Sequence, residues 1–324
     1  MAQLTTTYAG LTLQNPIIIS SSGLTNSAAK IKELEKSGAG AVVLKSVFEE
    51  QINMQAGNMQ GYASPEADDY LGAYVRSHAL NEHIALIQEA KKSCSIPIIA
   101  SINCYSDNEW VDFAVMMEQA GADALEINIL SLQTSKDYTF GSFEQRHIDI
   151  LRHIKKVVKI PVIMKLGSNL TNPIALINQL YANGAAAVVL FNRFYQPDIN
   201  IDTQTFTSSN VMSTPNELAD KIRWTAIASS QIPQLDYAVS GGVHCAKGVI
   251  KSILAGATAV QICSVIYQYG NKEIENMKRE LSVWMEENGY ESISQFKGKL
   301  NASAAGDVNP FERTQFMKYY SSHE

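Results

Sequence analysis

The chain has 324 residues, 46% of them hydrophobic, which is enough for a large core and fits one α/β barrel with insertions, so a second domain is not required. Its formal net charge of −6 argues against nucleic-acid or anionic-membrane partners, which need a basic face, and an anionic ligand therefore needs a local positive site. Residues 1–10 are polar and Thr-rich, without the features of a signal peptide, and no apolar run is long enough to cross a bilayer, so the cytoplasm is the expected location.

The first β-branched run covers 16–21 and is followed by an amphipathic stretch at 28–37, and this unit repeats along the chain as it does in a parallel sheet covered by helices. Further strands are expected at 41–46, 97–103, 124–129, 161–166, 186–192, 237–241 and 257–264. Helices are expected at 81–92, 108–119, 143–158, 173–183, 215–230, 247–255 and 273–287. Strands two, four, six and eight follow a shared punctuation: Ser37-Gly38-Ala39-Gly40, Ala120-Gly121-Ala122-Asp123, Asn183-Gly184-Ala185-Ala186 and Ala255-Gly256-Ala257-Thr258. A glycine in the left-handed conformation ends the helix, and the small residue after it turns the chain into the strand. Eight such units fit a closed (β/α)₈ TIM barrel better than an open doubly wound sheet. The expectation is one barrel domain over 1–300 and a polar tail over 301–324, either disordered or docked on a second subunit.

The connections after strands two (47–80), four (130–142) and six (193–214) are long, and in a barrel they crown the C-terminal face, where ligands bind. The cysteines Cys94, Cys104, Cys245 and Cys263 form no C-x-x-C pair and read as small buried thiols, so no metal site is expected.

Strand seven runs into Ser240-Gly241-Gly242, and strand eight ends at Cys263-Ser264 before the next helical stretch. Glycine N–H groups and a helix start make a phosphate cradle, and barrels place that cradle after strands seven and eight. Lys45 and Lys165 each complete an apolar strand, where a buried lysine must meet an anion or else snorkel to the rim. Asn103, Asn128 and Asn192 end strands three, four and six, and three amides at one height can surround a planar heterocycle.

With these residues in place the chain resembles the dihydroorotate dehydrogenases, especially the soluble class, over about residues 11–300. Leu13-Gln14-Asn15-Pro16 and Ser22-Gly23 are similar to the family's first strand and flavin contact, and Lys45-Ser46 to its Lys-Ser pair. Glu126-Ile127-Asn128 stands at the lead-in to the catalytic loop, and Gly289–Ile293 with Phe296–Leu300 resembles the closing helix. The resemblance implies FMN held by Ser22, Gly23, Lys45, Ser46, Asn103, Asn128, Lys165, Ser240, Gly241, Gly242, Cys263 and Ser264. It also implies a homodimer, a planar anionic substrate such as dihydroorotate, and an oxidoreductase in which Lys165 stabilises the reduced flavin.

The substrate elements depart from the family pattern. Asn128-Ile129-Leu130-Ser131-Leu132-Gln133 stands where the family reads Asn-x-Ser-Cys-Pro-Asn, so the base position falls on Ser131. The stretch expected to clamp orotate reads Tyr74-Val75-Arg76-Ser77-His78-Ala79-Leu80-Asn81, and the Asn-Ser after strand six becomes Asn192-Arg193. Lys45, Asn128, Asn192 and Arg193 are the expected substrate contacts. Arg76, His78 and Arg193 either serve a different anion or lie on the surface. The open readings are dihydroorotate oxidation, oxidation of another planar anion or dihydropyrimidine, and an FMN-binding protein with impaired turnover.

Overall fold

The computed structural model describes residues 2–48, 65–104, 110–305 and 312, without the side chains of 65–77, 79 and 305. The Arg76 side chain and most of the expected tail lie outside what the structure describes. The chain opens with an antiparallel hairpin, β1 (Thr6–Tyr8) and β2 (Leu11–Leu13). Then come β3 (Ile17–Ile19), α1 (Ala28–Lys36), β4 (Ala41–Val43), β5 (Val47–Phe48), α2 (Pro65–Ser93), β6 (Ile98–Asn103), α3 (Trp110–Gln119), β7 (Ala124–Ile129), α4 (Ser142–Lys155), β8 (Val162–Gly167), α5 (Pro173–Ala182) and β9 (Ala187–Asn192). A second hairpin, β10 (Pro197–Asn200) and β11 (Thr205–Ser208), precedes α6 (Leu218–Gln231), β12 (Asp236–Ser240), α7 (Ala246–Leu254), β13 (Ala259–Ile262), α8 (Ser264–Tyr269) and α9 (Lys272–Glu287).

The parallel strands β3, β4, β6, β7, β8, β9, β12 and β13 pair in that order, and β13 pairs back onto β3, which closes an eight-stranded barrel. The (β/α)₈ TIM barrel expected from the sequence is therefore the fold. Strand alternation explains its interior. Ile18, Ala41, Val43, Ile99, Ala124, Ile163, Ala187, Val189, Ala238 and Ala259 form one buried cluster with Tyr8 and Leu13 of the first hairpin, which plugs the N-terminal mouth. Asp236 fastens that plug by accepting from the Ala9 N–H at 2.9 Å and the Thr258 hydroxyl at 2.7 Å. The larger apolar cluster lies between strands and helices, as the outward-facing residues require.

Two residues beyond the apolar interior layer, the same strand faces carry Ser20, Lys45, Ser101, Glu126, Lys165, Ser240 and Gln261. The sequence thus makes the upper barrel polar while keeping the lower barrel dry. All of these except Lys45 are buried.

Several sequence expectations need correcting. The helix expected at 81–92 runs from Pro65 to Ser93, so the loop expected over 47–80 is shorter; Pro65, Glu66, Asp68 and Asp69 suit a helix start, but the segment lacks the one-sided apolar stripe used to find helices. The 193–214 segment is not simply a loop, because it contains β10 and β11. The closing helix implied near 289–300 is instead a short 3₁₀ turn, Ile293–Gln295, since Gly289 and Gly298 both adopt positive φ (73°) and interrupt any longer helix. Phe296 is fully buried there, against Trp284 and Tyr290. Of the four thiols only Cys104 is buried; Cys245, preceding α7, is exposed.

Candidate active site

A cavity of about 120 Å³ opens at the C-terminal ends of β8, β9, β12 and β13. Lys165, Asn192, Arg193, Ser240, Gly241, Gly242, Cys263 and Ser264 line it, all named from the sequence. Ser20, Ser21, Phe191, Tyr195, Val211, Ser213, Val243, Gln261 and Ile262 complete the wall and were not foreseen as site residues. Ser22, Gly23, Lys45, Ser46, Asn103, Asn128 and Ser131 lie outside this wall, on neighbouring strand ends and loops.

At the centre is Lys165, only 5% exposed. Its ammonium donates to Ser20 Oγ at 3.0 Å and to Gln261 Oε1 at 2.8 Å, and lies 3.5 Å from Glu126 Oε1. Glu126, fully buried, also accepts from Gln261 Nε2. The anion that a buried lysine requires is thus supplied by the protein, on the strand beside it, where Asn128 and Lys165 are register partners. Lys45 extends the interior face of β4, but its side chain is exposed.

A second part of the wall is the turn after β12. Gly241 and Gly242 both have positive φ (91° and 82°), and a Cβ on Gly242 would sit 2.5 Å from the Leu218 backbone nitrogen at the start of α6. Glycine is therefore required twice over, by conformation and by close approach. Consecutive glycine N–H groups in such a turn favour an anion without a basic side chain. Ser213 joins the two halves of this wall. Its N–H donates to Ser264 Oγ at 3.0 Å, and its hydroxyl meets His244 Nε2 at 3.0 Å. Burial pushes the Cys263 thiol up despite the opposing influence of Ser22 and Lys165, which favours a neutral thiol.

Above the barrel, Asn192 Nδ2 donates to Asn128 Oδ1 at 2.9 Å, and Asn103 is the register partner of Asn128. On β8, Asn128 is paired with Lys165, and Asn192 with Gly167 two residues further on. Ser46 Oγ links Ser21 Oγ at 2.9 Å to Ser101 Oγ at 2.8 Å, a hydroxyl chain from β3 to β6. Ser22 caps the 3₁₀ turn Gly23–Thr25, accepting from the Leu24 N–H.

Ser131 sits on the loop after β7. Gln133 Nε2 donates to its hydroxyl at 3.2 Å, and Asn169 Nδ2 holds its carbonyl at 2.9 Å. The Arg193 guanidinium is engaged by Glu217 Oε2 at 3.0 Å and by the carbonyls of Val211 and Asn210, both at 2.8 Å, which staples the two ends of the 193–214 segment together. His78 is exposed on α2, 3.8 Å from Glu82.

Glu126, Gln261, Ser20 and Ser213 were missed as site residues. The first three carry a readable signal, because each stands two residues past an apolar interior position on its strand. Ser213 carries none, since only folding of the long segment brings it to the cavity.

The family model for dihydroorotate dehydrogenase matches residues 3–285. Similar proteins include the dihydroorotate dehydrogenase B (NAD(+)) catalytic subunit of Thermoplasma volcanium, 32% identical over 92% of this chain and 98% of the relative. Its Thermoplasma acidophilum counterpart is 26% identical over 92% and 99%. The NAD-dependent dihydropyrimidine dehydrogenase subunit PreA of Escherichia coli is 22% identical over 92% of this chain and 77% of its own. Among the described residues no helix is long and apolar enough to cross a membrane. The barrel, the buried lysine at its C-terminal mouth and these matches agree that the chain belongs to the dihydroorotate dehydrogenase family, flavin-dependent oxidoreductases acting on CH–CH groups.

Proposed function

We propose that the cavity binds FMN and that the protein oxidises a planar anionic dihydropyrimidine, with dihydroorotate the first candidate. The observation that carries this reading is the buried Lys165 ammonium in the wall of a polar cavity that the Gly241-Gly242 turn also lines. Lys165 has three protons, and Ser20 and Gln261 take two of them. The donor set therefore suits a ring that gains negative charge at one end and a phosphate at the other. Bound flavin supplies a two-electron acceptor for a saturated carbon–carbon bond.

Gly241, Gly242, Cys263 and Ser264 would hold the phosphate, with Ser240 beside them. Ser22, Gly23, Lys45, Ser46, Asn103 and Asn128 would surround the ring, and Lys45, Asn128 and Asn192 would orient the substrate. Ser131 would hold the proton released from the substrate carbon. Arg193, engaged with Glu217, would fix the segment that walls the pocket. Its exposed hairpin residues Ile199, Ile201 and Phe206 suit contact with a second copy of the chain, so a cytoplasmic homodimer is part of the proposal.

A dihydropyrimidine such as dihydrouracil is the second substrate reading, favoured by the similarity to the dihydropyrimidine dehydrogenase subunit and by the changed residues after Ser131. Protein reconstituted with FMN should be yellow and release one FMN per chain on denaturation; colourless protein refutes the cofactor. Anaerobic titration with dihydroorotate and with dihydrouracil should bleach the flavin with one of them. Bleaching by neither refutes the substrate class.

A further inference from the structure

We propose that Glu126 is a positioning residue that sets the reduction potential of the bound flavin through Lys165 and Gln261; the proposal rests on the FMN reading above. Ser20, Glu126, Lys165 and Gln261 come from or just beyond β3, β7, β8 and β13, on different sides of the barrel, and converge beneath the cavity. A carboxylate only accepts hydrogen bonds and an ammonium only donates them. The Gln261 amide between them therefore has one orientation, Oε1 toward Lys165 and Ser20, Nε2 toward Glu126. That lock fixes where the Lys165 ammonium sits on the cavity wall.

Glu126 Oε1 lies 3.5 Å from Lys165 Nζ and makes no hydrogen bond among the described residues. Its attraction for the ammonium is thus purely electrostatic, and water does not screen it, because the Glu126 side chain is 1% exposed. Its charge also reaches below: burial first, then the charges of Glu126 and Asp236, push the Tyr8 phenol well above its ordinary value. No step of the proposed oxidation consumes Glu126. Its effect falls on the neighbour that faces the ring.

Reduction of the bound flavin takes two electrons from the substrate and one proton, leaving an anionic ring. Lys165 must then divide its field between that ring and Glu126. Removing the Glu126 charge leaves the ammonium wholly to the ring, which favours the reduced form. The carboxylate accordingly holds the potential down.

The test is the flavin midpoint potential of FMN-loaded protein, read against a reference dye, in wild type, Glu126→Gln, Lys165→Met and the double variant. Glu126→Gln should raise the potential by at least a tenfold shift in the oxidised-to-reduced ratio, about 30 mV for a two-electron couple. In the Lys165→Met background the same substitution should produce less than half that shift. An unchanged or lower potential in Glu126→Gln overturns the proposal, and an undiminished shift without Lys165 overturns the route through that residue. If Glu126→Gln does not fold, Glu126→Asp, which keeps the charge but withdraws it by one methylene, should give a smaller positive shift, and no shift again overturns the proposal. A wild-type chain that takes up no FMN refutes the cofactor reading instead.

Discussion

Replacing Lys165 by methionine keeps most of the side-chain volume but removes the ammonium beside Glu126. The lysine and glutamate side chains are 6% and 1% exposed, so the remaining carboxylate cannot recover its hydration. Breaking a buried pair by removing one partner costs about 3–5 kcal/mol, a drop in Tm of roughly 4–7 °C for a domain of this size. Gln261 adds to the loss, because among the described residues its carbonyl then keeps only the Ser20 hydroxyl as a donor. The double variant Lys165→Met/Glu126→Gln removes the stranded charge and should recover more than half of the lost stability. The assay is calorimetric melting of cofactor-free protein at pH 7, where flavin affinity does not enter. If Lys165→Met melts within about 2 °C of wild type, or if the double variant melts no higher than the single one, the buried-pair reasoning fails.

Wild-type turnover of dihydroorotate should be slow, because the Ser131 hydroxyl accepts from the Gln133 amide and donates at 3.5 Å to the Leu132 carbonyl, which is too weak a base to take its proton; Ser131→Cys should raise the rate and Ser131→Ala abolish it, and full activity in the alanine variant would place the base elsewhere. Gly242→Ala should weaken FMN binding at least tenfold, since its Cβ meets the Leu218 backbone, whereas Gly10→Ala, with nothing within 4 Å of its Cβ, should cost only about 1 kcal/mol of stability and leave affinity unchanged. Equal FMN affinity in both variants would refute the close-approach argument. His83 is buried, and that burial lowers its pKa from 6.5 to about 4, so its contribution is fully present above pH 6.5 and is lost as the pH falls through 4. Between pH 7 and 5 the wild type should lose about 2 kcal/mol relative to His83→Leu in urea unfolding, and parallel pH profiles would contradict the assignment.

The family and the barrel were legible because both rest on local patterns. Gly38, Gly121, Gly184 and Gly256 all have positive φ and end the helices before strands two, four, six and eight, as the repeated punctuation implied. The tight turn at Gly241-Gly242, with positive φ at both glycines, was legible for the same reason. The amphipathic-stripe argument failed on α2, where Pro65–Ser93 is helical without one apolar face. It also overlooked the hairpin Pro197–Ser208, whose residues are all exposed in β10 and β11 and so carry no buried alternation.

The sequence by itself determined which residues share a face: strand alternation puts Ser20, Glu126, Lys165 and Gln261 each two residues beyond an apolar position on the same face of its strand. It did not determine that they meet. Residues 20, 126, 165 and 261 touch because the sheet closes on itself, bringing the β13 side of the barrel against β3 and across from β7 and β8. In the same way Arg193 read as a substrate contact or a surface residue until folding paired it with Glu217, and Ser213 gained its place only when the segment before α6 returned to the cavity. Periodicity is local and can be read along one chain, whereas the pairing of buried charges depends on distances that closure of the barrel alone sets.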